Sequence, residues 1–138
     1  VIDYLDLADF LLKAEAALGI DAEALYMQAD LPMAESALSA PRAAFGEVEF
    51  YESFPEKVAV LGQRIVANHP LLDGNKRTAL LCMMEFTERN GYRWVPPAAD
   101  EPDGDETVEV MVALAAGELS GERFLVWVTD RIKADVIE

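Results

Sequence analysis

Residues 75–90, NKRTALLCMMEFTERN, limit the possible folds of this chain more than any other stretch. The run TALLCMM is apolar on nearly every side of a helix, and a helix with no polar face belongs in the middle of a domain. Gly91 ends it. Pro70 separates it from the segment before, because the residue preceding a proline resists helical geometry. That earlier segment carries its own start signal. Ser53 and Glu56 have capping-box spacing for a helix over residues 54–68, with Val58, Leu61 and Ile65 as its buried stripe. The two helices therefore meet at a loop over residues 69–77.

The rest of the chain also reads as helical. Residues 4–18 place Leu5, Ala8 and Leu12 on one stripe, with Leu11 and Leu18 beside it, and Gly19 stops that helix. Asp21 is positioned to cap a short helix through Gln28, and Pro32 to open another that ends near Ser39. Between residues 39 and 54 the character changes. Val48 and Phe50 alternate with Glu47 and Glu49 after Pro41 and Gly46, the pattern of a small hairpin. YRWV, 92–95, reads as a brief extended segment and 96–105 as a loop. Asp105 is placed to cap a helix through Ala116. Ser120 is placed to cap a last one, with Phe124, Trp127, Val128 and Ile132 on its inner face. The expected fold class is all-α, with a short β-hairpin near residues 41–50. Neither a repeat nor a linker divides the chain, so residues 1–138 are expected to form one domain.

Composition narrows the function. The 26 acidic residues against 11 basic ones give a net charge of −15, which argues against direct nucleic-acid binding, since tracking phosphates needs a basic face. No apolar run approaches a membrane span. No basic region followed by an apolar stretch opens the chain, so no signal peptide is expected. The single cysteine, Cys82, excludes an intrachain disulfide and fits a reducing compartment, the cytoplasm.

Against that acidic background the loop at 69–77 is unusual, because it gathers the only histidine and two adjacent cations. The first turn of a helix leaves backbone N–H groups unpaired and carries the positive end of the dipole. Gly74 lets backbone approach a ligand closely. Asn75 can cap the helix, or hold the loop by bonding its backbone. Lys76 and Arg77 disfavour the helix start unless an anion binds there, so together these residues form a phosphate cradle. Asp73 offers Mg²⁺ a hard oxygen beside it. His69 at the rim can accept a proton from an attacking hydroxyl, as imidazole titrates near neutrality. Base, metal ligand and phosphate cradle are the parts of nucleotide-dependent group transfer.

Each part also has a plain structural reading. A histidine before proline is commonly a turn residue, Asp73-Gly74-Asn75 is an ordinary turn with a cap, and Lys76 and Arg77 suit a solvated surface. Cys82 sits among apolar neighbours and reads as core. The acidic run 100–109 reads as a solvated loop and helix start, with a weak metal site as the alternative. No Walker loop, dinucleotide fingerprint or zinc cluster is present. It is the ordered combination at 69–77 that favours chemistry.

HPLLDGNKR resembles the Fic/Doc signature HxFx[D/E][A/G]N[G/K]R at every position but the third, where Leu71 replaces Phe. ESALSAPRAAFG and EKVAVLGQRIVANHPLLDGNKRTALLCMMEFTERNGY extend the resemblance over roughly residues 35–95, toward the death-on-curing branch. ETVEVMVALAAGEL near the end is similar too. The resemblance implies an all-α core with the loop between two of its helices. It implies His69 as general base and Asp73 as the Mg²⁺ ligand or the residue orienting the base. Gly74, Asn75, Lys76 and Arg77 would hold the phosphates of ATP, and residues 39–50 would be a flap that pairs with the target segment. The AMP-transferring branch usually has Gly where this chain has Lys76, and a second Arg where it has Leu80. The death-on-curing branch has Lys and lacks that Arg, as here. Its members are toxins of toxin–antitoxin pairs, described as kinases that phosphorylate a threonine of elongation factor Tu and so halt translation. The implied partners are elongation factor Tu and a separate, Phd-like antitoxin laid into a groove, since no inhibitory helix of the Fic type occurs in the chain.

Two other functions stay open at this level. One is AMP transfer to a protein hydroxyl. The other is a catalytically degenerate antitoxin-binding protein, because Leu71 replaces the aromatic anchor of the loop, and misplacing such a loop by an ångström costs about a hundredfold in rate.

Overall fold

The computed structural model describes residues 1–100 and 104–135. Seven helices and two small antiparallel sheets make up the fold among these residues, an all-α bundle with a short hairpin. Helix α1 spans Leu7–Leu18, α2 Ala22–Gln28 and α3 Leu31–Ser39, followed by a 3₁₀ turn over Ala40–Arg42. The hairpin pairs β1, Ala44–Phe45, with β2, Val48–Glu49. Then come α4, Phe54–Asn68, and α5, Asn75–Arg89. Strand β3, Tyr92–Trp94, precedes a 3₁₀ turn over Ala98–Asp100, α6 over Asp105–Ala115, α7 over Gly121–Thr129, and β4 over Ile132–Ala134.

The centre belongs to a pair of helices. Helix α5 packs against α1, α4, α6 and β3, while α4 packs against α3, α5, α6 and α7. No residue from 78 to 87 is fully exposed, as the apolar surround of that helix requires. Val58, Leu61 and Ile65 face it from α4, all buried. Gly62 makes the close approach possible, since a Cβ there would overlap the side chain of Met83.

Helix boundaries follow local hydrogen-bond chemistry. Ser53 and Glu56 close a reciprocal capping box at the start of α4, and Asp6 and Asp9 close another at α1. The second box explains why α1 starts at Leu7 and leaves Tyr4 and Leu5 in extended chain. The expected stripe of α1 is corrected with it. Phe10, Leu11, Ala14 and Ala17 point inward, and Leu12 is exposed. Ser120 caps α7 through the Arg123 N–H.

Three further expectations are corrected. Asp21 makes no side-chain cap; the Glu15 carboxylate accepts the Ala22 N–H instead. Asp105 does not cap α6. Gly104, at φ 71°, precedes the helix, and the Asp100 carboxylate accepts the Thr107 N–H at 3.1 Å. Helix α7 ends at Thr129, so Ile132 lies in β4 opposite Trp94. Pairing with β3 wins over helix propagation there, because YRWV already presents an unpaired edge and Val95 N–H donates to the Arg131 carbonyl.

A buried ion pair closes this end of the molecule. Arg131, 1% exposed, meets Asp100 at 3.1 Å and stacks over the Trp127 ring, 3.9 Å from its centroid. Asp100 therefore ties β4 to the start of α6. Glu101 and Asp103 of the acidic run lie outside the described residues; among the described ones no group of His, Cys, Asp or Glu side chains is arranged to hold a metal by itself. No helix among the described residues is long and apolar enough to cross a membrane.

Candidate active site

The loop between α4 and α5 is anchored by Leu71. Its side chain is 3% exposed and belongs to the main core, a burial that stabilises by about 1.5–3 kcal/mol for an aliphatic side chain of this size. The backbone of Leu71 is held as firmly. Its N–H donates to Asn75 Oδ1 at 2.9 Å, and Asn75 Nδ2 donates back to its carbonyl at 2.9 Å. Of the two roles open to Asn75, the structure shows loop-holding. The side chain is buried and bonded to Leu71 through both Oδ1 and Nδ2, and the Asn75 backbone N–H has no intrahelical partner.

Gly74 sits at the N-cap of α5 with φ 79°, a conformation that disfavours side chains. A Cβ there would also overlap Leu18 of α1. Glycine is thus required twice, by its backbone and by the approach of α1. The first intrahelical bond of α5 runs from the Thr78 N–H to the Gly74 carbonyl. The N–H groups of Asn75, Lys76 and Arg77 precede it and lie at the positive end of the helix.

The two cations differ in their surroundings. Arg77 donates from Nη1 to the carbonyl of Ala17, 2.9 Å away in the last turn of α1. The electrostatic conflict at the start of α5 is thereby eased, because the same guanidinium sits at the negative end of α1. Lys76 is exposed. Asp73 is exposed as well, with one carboxylate oxygen accepting the Gly74 N–H at 2.8 Å.

A cleft of about 330 Å³ opens over this helix start. One wall is Asp73, Gly74, Lys76, Arg77 and Leu80, and the other is Thr107, Val108, Met111 and Val112 of α6, with Leu18 at the base. The α6 wall lies in the stretch ETVEVMVALAAGEL, whose residues were not singled out as site residues from sequence. Contacts made by side chains from separate turns of a later helix leave no local signal. Leu80 lines the cleft, so an apolar surface lies where a second arginine would put charge.

His69 and Asn75 do not line the cleft. His69 caps the C-terminus of α4, exposed, with φ 49° and ψ 55°. Among the described residues it is the only non-glycine in the left-handed region. Its N–H donates to the Ile65 carbonyl, and Pro70 continues the chain into the loop. His69 is exposed and directly precedes buried Pro70.

Fit to Mg²⁺ rests on the donor set. Asp73 supplies one exposed carboxylate, and Mg²⁺ commonly takes one or two carboxylates with the remaining ligands from water and substrate phosphates. A single acidic ligand beside a cationic helix start suits an ion that arrives with a nucleotide.

Fold and loop together define a class, and comparison with known proteins agrees. The Fic/DOC family model matches residues 3–87, and the chain belongs to that family. It is 34% identical over 91 residues to a protein of Mycolicibacterium smegmatis described as Toxin Doc, a match covering 66% of this chain and 67% of the relative. No solved structure matches the chain. The family match takes in α1 to α4, the loop and α5 as far as Thr87, and stops before α6, the far wall of the cleft.

Proposed function

We propose that this protein is the toxin of a toxin–antitoxin pair, acting as an ATP-dependent kinase on a threonine of elongation factor Tu and so blocking translation. The observation that carries the reading is the cleft at the start of α5, lined by Asp73, Gly74, Lys76 and Arg77. Family membership and the name of the mycobacterial relative support it.

The transfer forms a bond between the threonine hydroxyl oxygen and the γ-phosphorus and breaks the bond from that phosphorus to the β,γ-bridging oxygen. ADP leaves, and the hydroxyl proton passes to the His69 imidazole. Mg²⁺, when bound, offsets the charge on the phosphate oxygens. Lys76, the Arg77 guanidinium and the N–H groups at the start of α5 bind and orient those oxygens. Asp73 would hold the metal. Leu80 and Met111 line the cleft with apolar surface.

Lys76 and Leu80 disfavour AMP transfer, since an apolar side chain occupies the place where that chemistry has a second arginine. The degenerate reading loses its motive, because Leu71 does anchor the loop. The apolar α6 wall, with Val108 and Val112 exposed, suits a Phd-like antitoxin segment laid along the cleft as restraint. Incubation with elongation factor Tu and ATP labelled at the γ- or the α-position decides among the readings. Label from γ supports the kinase, label from α means AMP transfer, and no label from either leaves antitoxin binding alone.

A further inference from the structure

His69 is exposed, so core packing does not fix its ring, and the place of the imidazole follows from the backbone that carries it. That backbone is left-handed, at φ 49° and ψ 55°, a region in which a Cβ crowds the following carbonyl. Helices often end on a left-handed residue, but usually on glycine. A histidine kept there, with a proline after it, depends on what grips the chain on either side.

Two hydrogen bonds grip it, one through each neighbour, and both reach the same corner of the fold. Before His69, the Asn68 side chain donates from Nδ2 to the Met33 carbonyl at 3.0 Å. After it, the Pro70 carbonyl accepts the Asp30 N–H at 2.8 Å. Residues 30–33 are the turn from α2 into α3, and that turn is stiff. Asp30 caps α3 by accepting the Met33 N–H, and Pro32 fixes φ in its first turn. Ala34, Ala37 and Leu38 of α3 are buried, and α3 packs along α4. Asn68 itself is half-buried. Water could satisfy its amide about as well, so the bond to Met33 adds little to stability. What it adds is direction, because the last residue of α4 is tied to a fixed point just where the chain turns.

We propose that Asn68 is a positioning residue for the general base, holding the backbone of His69 against the α2–α3 corner through the Met33 carbonyl. It acts through His69 and touches neither nucleotide nor acceptor hydroxyl. The inference rests on the reading of His69 as the group that takes the hydroxyl proton. The phosphate end of the site is held separately, by the Asn75 bonds to Leu71 and by the seat of Gly74 against Leu18. Loss of the Asn68 tie therefore moves the base and leaves the cradle in place. Of the two bonds flanking His69, this one is made by a side chain, so substitution reaches it without altering the loop backbone.

The test uses the full chain with Asn68→Ala, His69→Ala and the double variant, measured in single-turnover transfer to elongation factor Tu from labelled ATP. Asn68→Ala should lower the rate at saturating ATP roughly tenfold, part of the roughly hundredfold that an ångström of misplacement costs. Its affinity for ATP in calorimetry should not change. In the His69→Ala background the same substitution should cost less than about twofold, because Asn68 acts only through the imidazole. A purely structural role costs the same factor in both backgrounds, and that result overturns the proposal, as does an unchanged rate in Asn68→Ala. Exchange of the Asp30 amide should accelerate in Asn68→Ala, since the two ties share one corner; unchanged exchange rejects the brace whatever the activity. Should Asn68→Ala fail to fold, Asp30→Pro decides. Proline fits φ −80° after an extended Ala29, and it removes the N–H that holds Pro70. Its effect on rate should likewise vanish in the His69→Ala background, and a loss that persists there overturns the proposal. A wild type that transfers no label ends the functional reading and the role of Asn68 with it. An active wild type matched by Asn68→Ala ends the role of Asn68 alone.

Discussion

Replacing Asn75 by Ala tests whether the loop is built by side-chain bonding to its own backbone. The substitution removes both bonds to Leu71. Each backbone group left unpaired costs about 1–3 kcal/mol where water cannot reach it, the lost bond included. Leu72 and Asp73 are exposed beside the loop, so water can reach part of it and the low end of that range applies. Alanine's better helix propensity offsets about 0.5 kcal/mol. The expected net destabilisation is about 1.5–2 kcal/mol, which at a urea m-value of about 2 kcal/mol/M lowers the unfolding midpoint by about 0.75–1 M. Fluorescence of Trp94 and Trp127 follows the unfolding, and calorimetry with ATP follows binding. Binding should weaken together with stability, because the helix start moves when Leu71 is released. A variant that keeps its urea midpoint and loses ATP affinity would refute the reasoning, since the Asn75 side chain would then be meeting the nucleotide directly.

Three more outcomes are expected. His69→Gly should leave the thermal midpoint unchanged or raise it, since glycine relieves a left-handed position worth about 1 kcal/mol. The same variant should lose about 10²–10⁴ in transfer rate with its general base; an undiminished rate would return His69 to the role of a turn residue. Acid should destabilise the fold below about pH 4. The Arg89 guanidinium holds Asp9, and Lys13 holds Glu85, below their ordinary values. Burial raises Asp100, but Thr107 and Arg131 outweigh it and leave that carboxyl lowered too. A carboxyl lowered in the folded state stabilises above its unfolded pKa and stops doing so as pH falls through its folded one. Urea midpoints at pH 7 and pH 3 measure the loss, which Arg89→Met should reduce. Finally, burial pushes the Cys82 thiol up to about 12, so a thiol reagent should label it at neutral pH only after unfolding; prompt native labelling would contradict its burial in α5.

The amino-acid sequence alone determined what depends on neighbours within a turn or two. The capping box of Ser53 and Glu56, the break at Pro70, the stop at Gly91 and the cap at Ser120 stand where local chemistry puts them, because each bond joins groups three or four residues apart. The burial of α5 was legible for the same reason, since an all-round apolar helix has one possible environment. The hairpin near 41–50 was legible in its alternation. The loop's glycine, asparagine and two cations could be read as a candidate anion site by type and order.

Tertiary structure decided what depends on partners distant in the chain. Asp100 rather than Asp105 serves the start of α6, because Arg131 arrives from the turn before β4 to fix its carboxylate. Ile132 leaves the helix because β3 offers it hydrogen bonds. In α1, Phe10 faces inward and Leu12 faces water, since the neighbouring α5 and the cap at Asp6 set the rotation of the helix. Leu71 could be judged as an anchor only once the core around it was in place. The α6 wall of the cleft, the hold of Ala17 on Arg77 and that of Met33 on Asn68 follow the same rule. In each, a group finds its partner through the packing of whole helices, and the identity of either residue alone carries no record of the other.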